Sequence, residues 1–411
     1  MVMSKFKHSF LLLLMCLFLS SCKAEDVVYS PLFNCTKRII DSYGVCTHIN
    51  RLGIENEYET RYQEVKNISD VGSTILRTDF DWNVCQKGLS GSYNFVQHEK
   101  MLSSIRGRGL QTIGIFWPLV KSRSADDWLQ YVTNVVYHFK KSVFYWEVVN
   151  EIDLYYKKNS ILNPEEYVSL LKDARRSIKR NNRKAIVICG SLADIGSNYV
   201  RELFRLKFFS YFDIMNIHWY ANKRNPESLI QYLAELGNMM KENSIYKAVW
   251  LTETGSTSAP GWDTEEIQAY KLPRLFLISY ALGVDKVFWY KTRSNELSSS
   301  TESHFGLWHC DYTPKKAFYA YQTLVAMCPN RSTRPRLTKH KDVYSASWKN
   351  PSGINITALW TSFANIKINF DFGKFPVYDV YGQRIKPSGS ITISPSVIYI
   401  EGNFDYSEMN Y

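Results

Sequence analysis

The chain has 411 residues, with 50 Lys and Arg against 39 Asp and Glu and a formal charge of +11. Its length exceeds one ordinary domain and suits a barrel of roughly 250 residues with an appendage. Nothing along it looks like a nucleic-acid module. The positive balance reads as solvated helix faces, with Arg175, Arg176, Lys179, Arg180, Arg183 and Lys184 clustered at one helix end, and long-range attraction to an anionic polymer or surface is the alternative.

Residues 1–21 read as a targeting segment and stay out of the fold. Lys5 and Lys7 make a basic start, and the apolar stretch 10–19 is too short to span a bilayer as a stable helix. Leu19-Ser20-Ser21-Cys22 resembles the lipobox of bacterial lipoproteins. That resemblance implies cleavage before Cys22, lipidation of its thiol, and anchoring to the bacterial outer membrane on its periplasmic or cell-surface face. An ordinary signal peptide with an incidental Cys is the alternative. Lys23-Ala24-Glu25-Asp26 is similar to the acidic signal that sends some lipoproteins to the outer face. Residues 22–43 then read as an N-terminal tether. Among the remaining cysteines, Cys46 and Cys189 lie in apolar β runs as small core side chains. Cys35, Cys85, Cys310 and Cys328 are candidates for disulfides in an oxidising compartment, with no pairing deducible. No spacing suggests a zinc site.

From 44 to 330 the chain alternates short β-rich runs with longer amphipathic stretches. The runs are 44–49, 74–80, 111–117, 143–150, 185–190, 212–219, 248–253 and 286–290. Between them, 128–140, 164–180, 226–241 and 265–282 repeat apolar residues at three- and four-residue steps. Asn163-Pro164-Glu165-Glu166 is a helix start, with a capping Asn, Pro at the first position and acids in the first turn. Eight near-continuous apolar strands alternating with helices predict an α/β fold, a closed parallel (β/α)8 TIM barrel. An open doubly wound sheet would need a glycine-rich phosphate loop after its first strand, which Gly44-Val45-Cys46-Thr47-His48 does not supply. After a linker at 331–336, short alternating runs over 331–411 predict a small C-terminal antiparallel β-sandwich, whose apolar positions need the barrel as a partner surface.

Two of the predicted strands end in a carboxylate. Glu151 closes the run that begins at Phe144, and Glu253 sits in Ala248-Val249-Trp250-Leu251-Thr252-Glu253. A charge at the end of a buried strand loses hydration, so two of them point to a cleft holding a carboxylate pair. Cleaving a glycosidic bond needs such a pair; two unrelated acids, each satisfied by an Arg, are the alternative. Barrel active sites sit at the C-terminal strand ends, and counting puts Glu151 on the fourth strand and Glu253 on the seventh. Alternation places Glu147 deeper on the face of Glu151, groups Asn216, His218 and Tyr220 on the sixth strand, and groups Arg77, Asp79 and Asp81 on the second. Arg77 is placed to pair with Glu147 or to hold Glu253 ionised. By the same rule Trp146 and Trp250 face away from the barrel axis.

Trp146-Glu147-Val148-Val149-Asn150-Glu151 and Leu251-Thr252-Glu253 resemble the signature of glycoside hydrolase clan A, the retaining (β/α)8 glycosidases. The second-strand run 75–82 is similar to that of glycoside hydrolase family 39, and His218-Trp219-Tyr220 to the clan's His-x-Tyr on strand six. Phe288-Trp289-Tyr290 sits where the clan often carries an aromatic, and 313–321 resembles the final barrel helix. The resemblance implies Glu151 as acid/base, Glu253 as nucleophile, and double displacement at a β-glycosidic bond of a poly- or oligosaccharide. Asn150 would bind the sugar 2-hydroxyl, with Arg77, His218 and Tyr220 in the site wall. Trp82, Trp117, Trp289 and Trp308 are candidates to stack on sugar faces. No cofactor or metal is implied. Ile152-Asp153 follows the acid/base where the clan frequently has Pro, which leaves the leaving-group loop open. A catalytically silent carbohydrate-binding lipoprotein and a transglycosylase on the same fold are the rival readings.

Overall fold

The computed structural model describes residues 26–49, 58–88, 92–117, 124–296, 298–387 and 389–404. The leader and Cys22 lie outside them. Each of the eight expected β runs overlaps one strand. After a short β1 (Val27–Tyr29), the barrel comprises β2 (Tyr43–Cys46), β3 (Ile75–Asp81), β4 (Gln111–Trp117), β5 (Tyr145–Val148), β6 (Ile186–Ile188), β7 (Met215–Tyr220), β8 (Val249–Gly255) and β9 (Lys286–Trp289). They pair in parallel in the order β6-β5-β4-β3-β2-β9-β8-β7. Parallel bridges between Ile188 and Ile214 and between Leu192 and Ile217 span the β6–β7 seam. Cover on both faces accounts for the unbroken apolar runs.

One strand breaks the alternation. Ile217 pairs with Leu251, but His218 pairs with Glu253, so Thr252 is an extra residue on β8. Such a bulge re-aims the side chains beyond it. Trp250 therefore faces the axis, where it clusters with Cys46, Ile75, Ile113, Ile188 and Phe288 from five other strands. The expectation that Trp250 packs outward is corrected: strict alternation, counted back from Glu253, misses the extra residue. Trp146, on the regular β5, does pack outward, stacked on Phe116 and edge-on to Phe80.

The helices start where side chains can take their free N–H groups. Asn163 and Glu166 form a reciprocal capping box at the head of Pro164–Asn181. Helix Ala125–Phe139 begins three residues before its expected start, because Ser124 and Asp127 make a second such box. Helix Glu265–Ala281 is buried almost all round, as a helix between two layers must be.

Its second cover is the C-terminal sheet: β10 (Arg336–His340), β11 (Val343–Lys349), β12 (Asn355–Thr361), β13 (Ile366–Asn369), β14 (Val377–Tyr378), β15 (Arg384–Ile385), β16 (Ser390–Ile393) and β17 (Ile398–Glu401). A seven-stranded antiparallel sheet, β1-β10-β11-β12-β17-β14-β15, faces the pair β13-β16 across Leu359, Ile368, Phe372 and Ile400. The stretch 22–43 thus contributes an edge strand, since β1 pairs with β10. A polar latch joins the layers. Arg274 on the buried helix grips Glu227 through Nε at 2.9 Å and Nη2 at 2.5 Å, and Trp360 Nε1 donates to the same carboxylate at 2.8 Å. All six cysteines of the described residues are free thiols, so the disulfide candidates Cys35, Cys85, Cys310 and Cys328 are unpaired. Among the described residues no helix is long and apolar enough to cross a membrane.

Candidate active site

The C-terminal ends of β3, β5, β7 and β8 bring their polar side chains to one mouth. At its base Arg77 is 1% exposed. Its guanidinium clamps Glu147 with Nε and Nη2, both at 2.7 Å. Nη1 reaches Glu253 Oε1 at 2.5 Å, and Nη2 also reaches Asn150 Oδ1 at 2.7 Å. The two roles open to Arg77 in the sequence are both filled. With every arm spent on protein carboxylates and an amide, Arg77 supports the wall without being part of its surface, which corrects its expected contact with a ligand.

Glu253 is held from two sides, since Tyr220 OH donates to its other oxygen, Oε2. Burial raises the Glu253 carboxyl, but His218, Arg77, the Tyr220 hydroxyl and His48 together outweigh burial and hold it below the usual carboxylate value. Burial in turn keeps the Tyr220 phenol well above its usual value, with Glu253 adding to the effect, so Tyr220 stays a donor. Glu151 is different: its side chain is 28% exposed against 8% for Glu253. His218 Nδ1 lies 3.0 Å from Glu151 Oε1 and 3.4 Å from Glu253 Oε2. One oxygen from each carboxylate and a His218 ring nitrogen all lie within 4.8 Å of one another. Both Glu253 oxygens already have donors and the His218 ring is tied to Thr252 at 3.0 Å. The cluster is therefore set for handling protons and charge, not as a cage for a cation.

The backbone around Glu151 is bent to present it. Val149 (φ 72°) and Glu151 (φ 44°) occupy the left-handed region, a cost of about 1–3 kcal/mol each that surrounding structure must hold. Ser191 does part of this, its Oγ accepting from Glu151 N–H at 2.7 Å and its carbonyl from Ile152 N–H at 3.2 Å. Asp153 is the second residue of the Ile152-Asp153 pair that follows the acid/base in place of the familiar Pro. It accepts from the N–H groups of Ala193 (3.2 Å) and Asp194 (2.6 Å), tying the loop after β5 to that after β6. Burial pushes its carboxyl above the usual value despite those bonds.

The aromatic expectations fare unevenly. Trp289 is fully buried and donates from Nε1 to the Phe305 carbonyl at 3.1 Å. It points outward, and its neighbours Phe288 and Tyr290 point inward, so Trp289 is corrected to a packing residue and Tyr290 takes the mouth position. Trp82 is likewise buried, stacked on Tyr131 at 5.1 Å, because Asp81 caps the short helix Trp82–Cys85 and turns it into the core. Trp308 packs on Phe318. Of these four, Trp117 alone is half-buried, edge-on to Tyr155.

Two mouth groups, His48 and Glu302, were not singled out in the sequence. His48 Nδ1 meets Asp79 Oδ2 at 2.7 Å and its Nε2 meets Tyr290 OH at 3.2 Å. His48 lies two residues beyond the inward Cys46, so alternation held that signal. Glu302, on the turn Thr301–His304, hydrogen-bonds Tyr290. Burial first, then Glu253 and Glu151, push its carboxyl above the usual value. A loop acid has no periodic signal.

The family model of the glycosyl hydrolase catalytic core matches residues 73–308. Among solved structures, the chain is similar to a family 39 glycoside hydrolase from the gut symbiont Bacteroides cellulosilyticus WH2, with a TM-score of 0.75 and 19% identity over 89% of this chain and 81% of that one. A glucosidase from Croceicoccus marinus gives 0.67 and 13% over 93% and 99%. A monomeric beta-xylosidase from Caulobacter crescentus CB15 gives 0.65 and 11% over 90% and 97%. Likeness at these identities establishes a common fold. No curated protein matches the chain in sequence. The glycoside hydrolase resemblance read from the motifs is borne out, and the chain belongs to the glycosyl hydrolase catalytic core family.

Proposed function

We propose that the protein cleaves β-glycosidic bonds of a poly- or oligosaccharide with retention of configuration. Glu253 is the nucleophile and Glu151 the acid/base. The observation that carries this reading is the closeness of the two carboxylates, with one oxygen of each within 4.8 Å of the other. Retaining pairs stand about 5–5.5 Å apart, whereas inverting pairs leave roughly 6.5–9.5 Å for a water. The environments also divide the labour. Glu253 is clamped by Arg77 and Tyr220 in the form that attacks, and Glu151 is the more exposed of the two, against His218.

In the first step Glu253 bonds to the anomeric carbon as Glu151 gives its proton to the departing oxygen. In the second, Glu151 takes a proton from water, which displaces Glu253. The Asn150 amide oxygen is engaged by Arg77 and Ser191, which leaves its NH2 to donate to the sugar 2-hydroxyl. Trp117 and Tyr290 offer ring surface to the sugar.

Two measurements test the reading. NMR of the first-formed product should show the substrate's own anomer; an inverted product rules out double displacement. Glu151→Ala should spare the first step for an activated aryl glycoside, which departs without a proton, and should stall at the glycosyl-enzyme. Azide should then restore turnover, since an anion attacks without a general base. If Glu147→Gln gave that pattern and Glu151→Ala did not, the proton donor is misassigned.

We also propose that Cys22 carries a lipid that anchors the protein to the outer membrane, on its periplasmic or surface face. The leader motif supports this. Cys22→Ser should abolish incorporation of labelled fatty acid and release the protein from the membrane fraction; a variant that still sediments with membranes counts against the anchor.

A further inference from the structure

We infer that Thr252 and Asn216 are positioning residues that pin a proton on His218 Nε2, leaving Nδ1 as the ring atom that shares a proton with Glu151. This rests on the reading of Glu151 as the acid/base. The bulge on β8 is the starting point. In a regular strand Thr252 would face outward whenever Glu253 faces inward; the extra residue turns both to the interior. The Thr252 hydroxyl donates to Asn216 Oδ1 at 2.6 Å. A hydroxyl has one hydrogen, so its oxygen can only accept from His218 Nε2, 3.0 Å away. The amide of Asn216 is oriented in turn, its Nδ2 donating to the Cys189 carbonyl at 3.3 Å. Asn216, Thr252 and His218 are all buried, where an unpaired donor is costly.

With Nε2 protonated, the neutral ring turns a lone pair at Nδ1 toward Glu151 Oε1, 3.0 Å away, with Glu253 Oε2 at 3.4 Å. Against an ionised Glu151 that contact is repulsive. One proton between Oε1 and Nδ1 makes it a hydrogen bond. With that proton on Oε1, Glu151 is the donor for the leaving group, and with it on Nδ1 the ring carries the charge that helps hold Glu253 ionised. The other ionisable groups that face the pair are Glu253 on β8, Arg77 on β3 acting through Glu253, and Tyr220 on β7. Glu302 and Tyr232 also interact with Glu151, and Tyr232 OH donates to the His218 carbonyl at 3.2 Å. None of these contacts Nε2, so the choice of tautomer falls to Thr252.

The first test reads no activity, so its failure is separable from failure of the glycosidase reading. In a two-bond ¹H–¹⁵N correlation titration of the full chain, His218 Nε2 should keep its proton throughout while Nδ1 changes; titration at Nε2 overturns the inference. The second test is Thr252→Val, which is close in size and has no hydroxyl. The ring can then move its proton to Nδ1 and donate to ionised Glu151. The alkaline limb of kcat/KM should fall by about one pH unit, and cleavage of poor leaving groups by about ten-fold. Thr252→Ser should restore both, and Asn216→Asp, which keeps an acceptor for Thr252, should retain the Nε2 tautomer. A folded Thr252→Val with an unmoved alkaline limb, or a Thr252→Ser no better than Val, overturns it as well.

Discussion

Glu253→Gln should lower kcat on every substrate by roughly ten-thousand-fold or more, the scale of loss when an enzyme's nucleophile is removed. The fold should survive. Gln keeps an oxygen for Arg77 Nη1, its NH2 can donate to the Tyr220 hydroxyl oxygen in place of the bond that Oε2 accepted, and Glu147 still holds the rest of the guanidinium. Unlike Glu151→Ala, this variant should accumulate no glycosyl-enzyme and gain nothing from azide through a normal covalent intermediate. Mass spectrometry of the protein after mixing with a fluorosugar would report the adduct on the wild type alone. A folded Glu253→Gln protein with more than a few per cent of wild-type turnover would place the nucleophile elsewhere.

Arg77→Met should produce the largest loss of stability, about 3–5 kcal/mol, because it strands a buried partner. Glu147 is fully buried and Arg77 meets both its oxygens. Adding Glu147→Leu should recover much of the loss, since an apolar pair of similar volume removes the orphaned charge. Urea midpoints for the two variants would decide it. An Arg77→Met protein within about 1 kcal/mol of wild type would mean that the clamp is not what keeps Glu147 there.

Arg77→Lys asks a gentler question about pH. Glu253 must be ionised to attack, and its carboxyl is held below the ordinary value of 4.5. The acid limb of kcat/KM should therefore lie below that value. Because the folded carboxyl is depressed, the stability it contributes is full above the unfolded value and is lost as pH falls through the folded one. Lys keeps a charge but not the three-way fork, so the acid limb should move up toward the ordinary range. An unmoved limb would leave His218, Tyr220 and His48 as the groups that suffice.

Strand positions, the barrel and the glutamate pair could all be read from residue order, because they depend on local pattern. Apolar runs of strand length between amphipathic stretches permit few arrangements, and the two acids announced themselves by ending such runs. Alternation also put Arg77, Glu147 and His218 on inward faces, where they are found. It failed where the backbone departs from period two. The extra residue at Thr252 reversed the expected facing of Trp250. Where the period held, on β9, the error lay in choosing Trp289 for its type when its two neighbours faced inward and Tyr290 reached the mouth.

Burial separates the remaining cases. The sequence marks Trp82, Trp289 and Arg77 as residues able to meet a sugar, but whether they do depends on what covers them. Asp81 turns Trp82 inward against Tyr131, and Phe305 caps Trp289. Arg77 is consumed by Glu147, Glu253 and Asn150. Glu302 reaches the mouth from a loop with no period, and His218 meets Thr252 only across neighbouring strands. The chain alone determined which groups stand at the strand ends. Only the closed barrel decided which of them retain a hydrogen-bonding arm or an exposed face for a ligand, because that depends on contacts between residues far apart in the chain.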